Sequence, residues 1–285
     1  MGLLPKNEPT EKDITPKMFF IWGQSMSGKT YLARQFPNPV ILNTDGNAKK
    51  VDTPSVEIKD FETFVKTMSE MEKGGHGFET VIVDLVDDIQ TMLEIYVMKK
   101  YNIEALADAP FGKAYSDVKT TWKTLMVRLS QMPYNVVFIS HITEKQDESD
   151  SSRTIEVPSL AQKFYNMTMG RCDLSIKCRK LGNNYIQMVV DKRDVYTVDD
   201  MQNKVVTNIL MGIKGAISEK EPEAPKPVAK KTGSTSKVTK KPRVAQSSAT
   251  EVTEEPKPEP KAEPETKTMA SVADKRIKKL KSLKK

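Results

Sequence analysis

Residues 18–36 read MFFIWGQSMSGKTYLARQF, and this stretch decides the fold. An apolar, strand-like run over residues 17–22 leads into Gly23-Gln24-Ser25-Met26-Ser27-Gly28-Lys29-Thr30, which satisfies G-x-x-x-x-G-K-[ST] at every position. A helix-compatible run over residues 28–36 follows. Strand, glycine-bearing loop and helix is the order that a phosphate-binding loop requires. Gly23 and Gly28 let the main chain wrap an anion without Cβ clashes. The loop amides and the positive helix end then point at phosphate oxygens. In that arrangement Lys29 reaches the β- and γ-phosphates, and the Thr30 hydroxyl is placed on Mg²⁺. The motif predicts a nucleoside triphosphate site built from residues 23–30.

The charge of the chain is divided. Residues 220–285 hold 18 Lys and Arg against 9 Asp and Glu, whereas residues 1–219 hold 27 against 29. The tail has no Trp, Phe or Tyr and is rich in Pro, Lys, Glu, Ser and Thr. Such a segment buries too little apolar surface to offset chain entropy, so disorder is expected there. The expected organisation is an arm over 1–16, an α/β core over 17–218, an extended linker over 219–268 and a basic segment over 269–285. The two cysteines, Cys172 and Cys178, fall in an apolar, strand-like context and read as small buried hydrophobes. No signal-like leader and no apolar run of membrane-spanning length is visible, which predicts a cytoplasmic protein.

Further strands are expected at 40–43, 80–83 and 135–140, with a hairpin at 172–179 and 184–191. Helices are expected at 61–71, 89–101, 116–132, 158–168 and 200–213, while 107–113 and 144–152 read as loops. Short apolar strands alternating with helices predict a largely parallel sheet covered on both faces, and the late hairpin predicts an antiparallel extension.

Three strand ends carry candidate chemistry. The run Thr80-Val81-Ile82-Val83 delivers Asp84, either as a Mg²⁺-site acid or as a helix cap, with Asp87 and Asp88 in the first turn of the next helix. Asp45 follows the second strand and either positions the attacking water or belongs to an Asp-Gly turn with Gly46. Ser140 and His141 end a third strand. There His141 either senses the terminal phosphate or is a satisfied core histidine.

The order of phosphate loop, acid-ended strand, Asp84 strand and Ser-His strand resembles RecA-like ATPase cores. It is most similar to phage-encoded AAA-type nucleotide-binding proteins of single-strand annealing and recombination. The resemblance covers residues 17–194. It implies ATP and Mg²⁺ as cofactors, a homo-oligomer and single-stranded DNA as partner. Gly23, Gly28, Lys29 and Thr30 match its phosphate loop, Asp84 its metal acid and His141 its sensor. Asp45 stands where such proteins carry a glutamate. Lys192 and Arg193 resemble a basic segment that reaches a neighbouring subunit, and they read equally as a solvated hairpin end.

Phe111, Lys113 and Tyr115 suit base stacking plus phosphate neutralisation, or the two rings pack on the core. The segment 143–153 is acid-rich and poor for DNA. At the end of the chain, residues 274–285 hold seven cations with Ile277, Leu280 and Leu283 at three-residue spacing. This piece fits DNA phosphates or a single-strand-binding protein. Alternatives to a DNA-acting ATPase are a nucleotide-gated loader or packaging module and a small-molecule P-loop kinase; no arginine-rich lid of the kind such kinases use follows the core. Removal of residues 220–285 is expected to leave cooperative unfolding and nucleotide binding unchanged, as thermal melts with and without ATP would show.

Overall fold

The structure, a computed structural model, describes residues 14–46, 52–147, 149–150 and 152–218. Most of the expected arm, the linker over 219–268 and the basic segment over 269–285 lie outside the described residues. Seven strands form one sheet in the order β3-β2-β4-β5-β1-β8-β9. These are β1 (Met18–Gly23), β2 (Pro39–Asn43), β3 (Ser55–Glu57), β4 (Thr80–Asp84), β5 (Asn135–Ser140), β8 (Leu174–Leu181) and β9 (Asn184–Lys192). All neighbours pair in parallel except β9, which runs antiparallel to β8.

The central strands β1, β4 and β5 are buried at every residue, as expected for strands covered on both faces. One face packs α2 (Phe61–Lys73), α3 (Val86–Tyr101), α4 (Lys113–Gln131) and α5 (Gln162–Met169); the other packs α1 (Lys29–Ala33) and α6 (Lys204–Met211). On the first face Trp122 is fully buried, its ring centroid 5.1 Å from that of Phe164, and its Nε1 donates to Thr168 Oγ1 at 3.3 Å. Burial of a side chain that large stabilises the fold by about 2–3 kcal/mol. Trp22 is fixed across the sheet, its Nε1 donating to Ser175 Oγ of β8 at 3.0 Å.

Several boundaries differ from expectation. The first helix is only Lys29–Ala33, because residues 34–36 turn back to set Phe36 on Phe19, with centroids 4.6 Å apart. The stretch expected as a loop over 144–152 is the connection of a hairpin, β6 (Ile142–Gln146) and β7 (Thr154–Pro158), with 144–146 drawn into β6; Pro158 closes β7 and α5 begins only at Gln162. The loop at 107–113 is wound into two short 3-10 turns ahead of α4. Ile14 packs on the second core, and Thr15 Oγ1 accepts from Gln202 N at 2.8 Å, so the chain is already anchored at 14–16. Both cysteines are buried free thiols. Burial pushes the Cys178 thiol up to about 11, which suits the packing role.

At the end of β1 a Cβ on Gly23 would stand 2.1 Å from the Cys178 carbonyl oxygen and 2.9 Å from Ser27 Oγ. Main chain cannot yield as a side-chain tip can. Gly23→Ala is therefore expected to destabilise the protein by about 2 kcal/mol or more, read from the denaturation midpoint. Gly28→Ala meets only the Tyr185 ring, at 3.1 Å, but must hold a φ of +87°; a smaller loss is expected there.

Candidate nucleotide site

Parallel register brings the strand ends to one rim of the sheet. Trp22 aligns with Ser140, Asp84 with Ile139 and Asn43 with Asp84, so the phosphate loop, Asp84, His141 and Asp45 all leave the sheet on the same side. The carboxyl edge of a parallel sheet, where strand order reverses, is the usual place for a ligand.

Within the loop Gln24, Ser25 and Met26 are exposed, whereas Ser27 and Lys29 are buried. Lys29 Nζ donates to Gly23 O and Gln24 O, both at 2.9 Å. An ammonium has three protons, so one is left for a ligand oxygen in the mouth of the loop. Burial lowers the Lys29 pKa, opposed by the nearby charge of Asp84. Thr30 Oγ1 donates to Asp84 Oδ2 at 2.9 Å, joining the two motifs across the intervening strand β5. Burial pushes the Asp84 carboxyl up to about 6, with the Thr30 hydrogen bond pulling the other way.

A hydroxyl and a carboxylate side by side are hard oxygen donors of the kind Mg²⁺ takes beside substrate phosphates. Ser27 Oγ and Asp87 Oδ1 are buried without a hydrogen-bond partner, and both belong to this rim. A buried polar atom left unpaired costs about 1–3 kcal/mol. A bound phosphate and its hydration shell would give both atoms partners. The residues fit a Mg²⁺-nucleotide, with Thr30 and Asp84 as the metal side.

The other predicted residues fall in distinct roles. His141 lies just past β5 with its side chain 39% exposed, its Nδ1 3.7 Å from Asp87 Oδ2, so it faces the rim and not the core. Asp87 Oδ2 also accepts from His141 N at 3.3 Å, and burial raises the Asp87 pKa. Asp88 instead accepts from Thr44 Oγ1 at 2.6 Å. With the Asn43 amide turned to satisfy both of its ends, its nitrogen donates to Asp45 Oδ1 at 2.7 Å and its oxygen accepts from Gly46 N at 3.0 Å. Asp45 is thus held in the turn after β2, close enough for its charge to raise the Asp84 pKa. Lys192 and Arg193 sit at the opposite end of the sheet, where Lys192 Nζ donates to Ser218 Oγ at 2.7 Å and Arg193 to the carbonyls of Gly170 and Cys172.

Two contributors were not foreseen. Glu156 of β7 accepts from Gln24 Nε2 at 3.1 Å and pairs with Lys177 at 2.9 Å and Arg179 at 2.6 Å. Hydrogen bonds from Lys177 and Arg179 hold its carboxyl at about 2. The β8–β9 hairpin supplies the second: Lys180, Tyr185 and Gln187 form the wall of a cleft of about 760 Å³ whose floor is Met26 to Tyr31. Nothing in the local sequence of the hairpin marks it as part of a site.

The sequence model of a family described as an AAA domain matches residues 15–204. The chain is also similar to the SPbeta prophage-derived uncharacterized protein YorG of Bacillus subtilis (strain 168), at 24% identity over 147 residues. That similarity covers 49% of this chain and 45% of the relative, so the chain spans less than half of that protein's length. Among the described residues no helix is long and apolar enough to cross a membrane.

Asp84 titrates higher in the fold than in an unfolded chain. Its contribution is therefore complete at pH values below the ordinary carboxylate range and lost as pH rises through about 6. Near neutrality the buried charge costs the ligand-free fold about 2–3 kcal/mol. Asp84→Asn is expected to raise the Tm of ligand-free protein at neutral pH, with the gain shrinking in acid, and to abolish Mg²⁺-dependent stabilisation by ATP. Thermal melts at both pH values, with and without Mg-ATP, check both outcomes.

Proposed function

This chain belongs to the AAA-domain family, and from that premise we propose that it is a Mg²⁺-dependent ATPase acting on single-stranded DNA as a homo-oligomer. Its setting is phage recombination, annealing or replication in the host cytoplasm, a reading supported by similarity to a prophage-derived protein. The observation that carries the nucleotide part is the hydrogen bond from Thr30 to Asp84 beside the caged Lys29 ammonium. It supports a metal at Thr30 and Asp84 beside a phosphate at Lys29. Asp87 and His141, with an unpaired carboxylate oxygen between strand end and helix start, are the groups best placed to orient a water.

Support for a polymer partner comes from the turn ahead of α4. Phe111 is fully exposed, with a φ of +55°, so it does not pack on the core. Lys113 stands two residues on, and Tyr115 is half exposed with Lys163 Nζ 5.6 Å from its ring. Exposed rings beside cations are the elements of a stacking platform for single strands. The basic residues 269–285 then serve as a second contact, to DNA phosphates or to a single-strand-binding protein.

A second reading, a nucleotide-gated loader or packaging module with slow hydrolysis, is favoured by one observation. Asp45 is tied to Asn43 within its own turn, which leaves it poorly disposed to deprotonate water. ATP hydrolysis measured with and without single-stranded DNA over a range of salt separates the two readings. Stimulation that fades as salt rises supports the first; slow turnover indifferent to DNA supports the second. Phe111→Ala is expected to weaken single-strand binding on the order of tenfold while ATP affinity stays the same. Unchanged strand binding in that variant would remove the platform from the proposal.

A further inference from the structure

The phosphate loop accounts for only one half of the cleft. The remainder of the same cavity, where the sugar and base of a triphosphate held by Lys29 and Thr30 would have room, is walled by the β8–β9 hairpin. Alternation along β9 places Tyr185, Gln187 and Val189 on one face of the sheet. Val189 packs into the core shared with α1, while Tyr185 and Gln187, nearer the turn, project over the loop. The approach is close, since a Cβ on Gly28 would lie 3.1 Å from Tyr185 Cδ1.

The chemistry changes along the cavity. Its inner end is ionic, whereas its outer end presents Tyr185 at 54% exposure, Tyr31 at 67% and Met26 at 87%. None of these three side chains is used by the hydrophobic cores. Lys180 Nζ lies over the Tyr185 ring, 5.2 Å from its centroid, so a cation accompanies the ring at this end of the cleft. Half-exposed rings at the end of a phosphate cleft are suited to one part of a nucleotide, the flat face of its base.

We propose that the β8–β9 hairpin is the base subsite, resting on the nucleotide reading above. Tyr185 stacks on the nucleobase, and Met26 and Tyr31 border the stack. Gln187 meets the base edge with its amide. A carboxamide offers one donor and one acceptor together, which matches the exocyclic amine and N7 of adenine and mismatches the two acceptors of guanine. The site therefore prefers adenine nucleotides, and the preference originates in a hairpin that follows the phosphate loop by some 150 residues in the chain.

The test compares Mg²⁺ complexes of ATP, GTP and inorganic tripolyphosphate binding to the full chain by calorimetry. Tyr185→Ala is expected to weaken ATP roughly tenfold or more and to leave tripolyphosphate unchanged, while Tyr185→Phe keeps wild-type affinity for both. Gln187→Ala is expected to reduce the preference for ATP over GTP. Constant tripolyphosphate affinity shows that the variants are folded with an intact loop. Equal ATP affinity in Tyr185→Ala and wild type overturns the base subsite alone. Failure of the wild type to bind either ATP or tripolyphosphate overturns the nucleotide site itself, and the subsite with it.

Discussion

Where β1 ends, Gly23 lies against the Cys178 carbonyl so closely that no other residue fits, and the nucleotide end of the molecule is arranged around that contact. Because the loop leaves β1 flush against β8, its own carbonyls converge on Lys29, and the α1 hydroxyl of Thr30 reaches over to Asp84 two strands away. The same closeness brings the far end of β8 and its hairpin partner back over the loop. A single missing Cβ thus couples the phosphate-loop backbone, the Thr30–Asp84 hydrogen bond and the cleft wall.

The interior of the site is held against electrostatic cost. Lys29 and Asp84 are both shifted by burial in the direction that disfavours their charges, and Ser27 and Asp87 each leave a buried polar atom unpaired. These are departures from a stability optimum concentrated on one rim, which is the pattern of a site awaiting a charged ligand. Elsewhere among the described residues Trp22, Trp122 and Asn135 bury polar atoms that find partners.

Much of this was legible in the sequence, for physical reasons. Strands buried on both faces must be apolar throughout, so β1, β4 and β5 announced themselves, and a phosphate loop has few chemical solutions. The elements that escaped detection lack such constraints. β3 is the three residues Ser-Val-Glu, β6 is exposed along most of its length and β7 is half-buried along most of its own, so none carries a buried–exposed alternation to read. Tyr185 and Gln187 looked like ordinary hairpin residues because the approach of Tyr185 to Gly28 and the place of Gln187 in the cleft wall exist only in the folded chain. Asp45 and His141 each had two readings in sequence, because the turn that holds the acid and the direction in which the histidine faces are set by the fold.

The two ends of the sheet have a consequence for how copies of this molecule meet. An open strand edge offers unpaired amides and carbonyls to any similar edge, and chains that leave long ones exposed tend to stick together. Here one end is closed by the three-residue β3. At the other, Lys214 bridges to the middle of β9, its main chain exchanging hydrogen bonds with Gln187 and Val189. Those two hydrogen bonds occupy the middle of the β9 edge. A three-residue strand at one edge and a bridged strand at the other shorten the free backbone over which one sheet could continue into another.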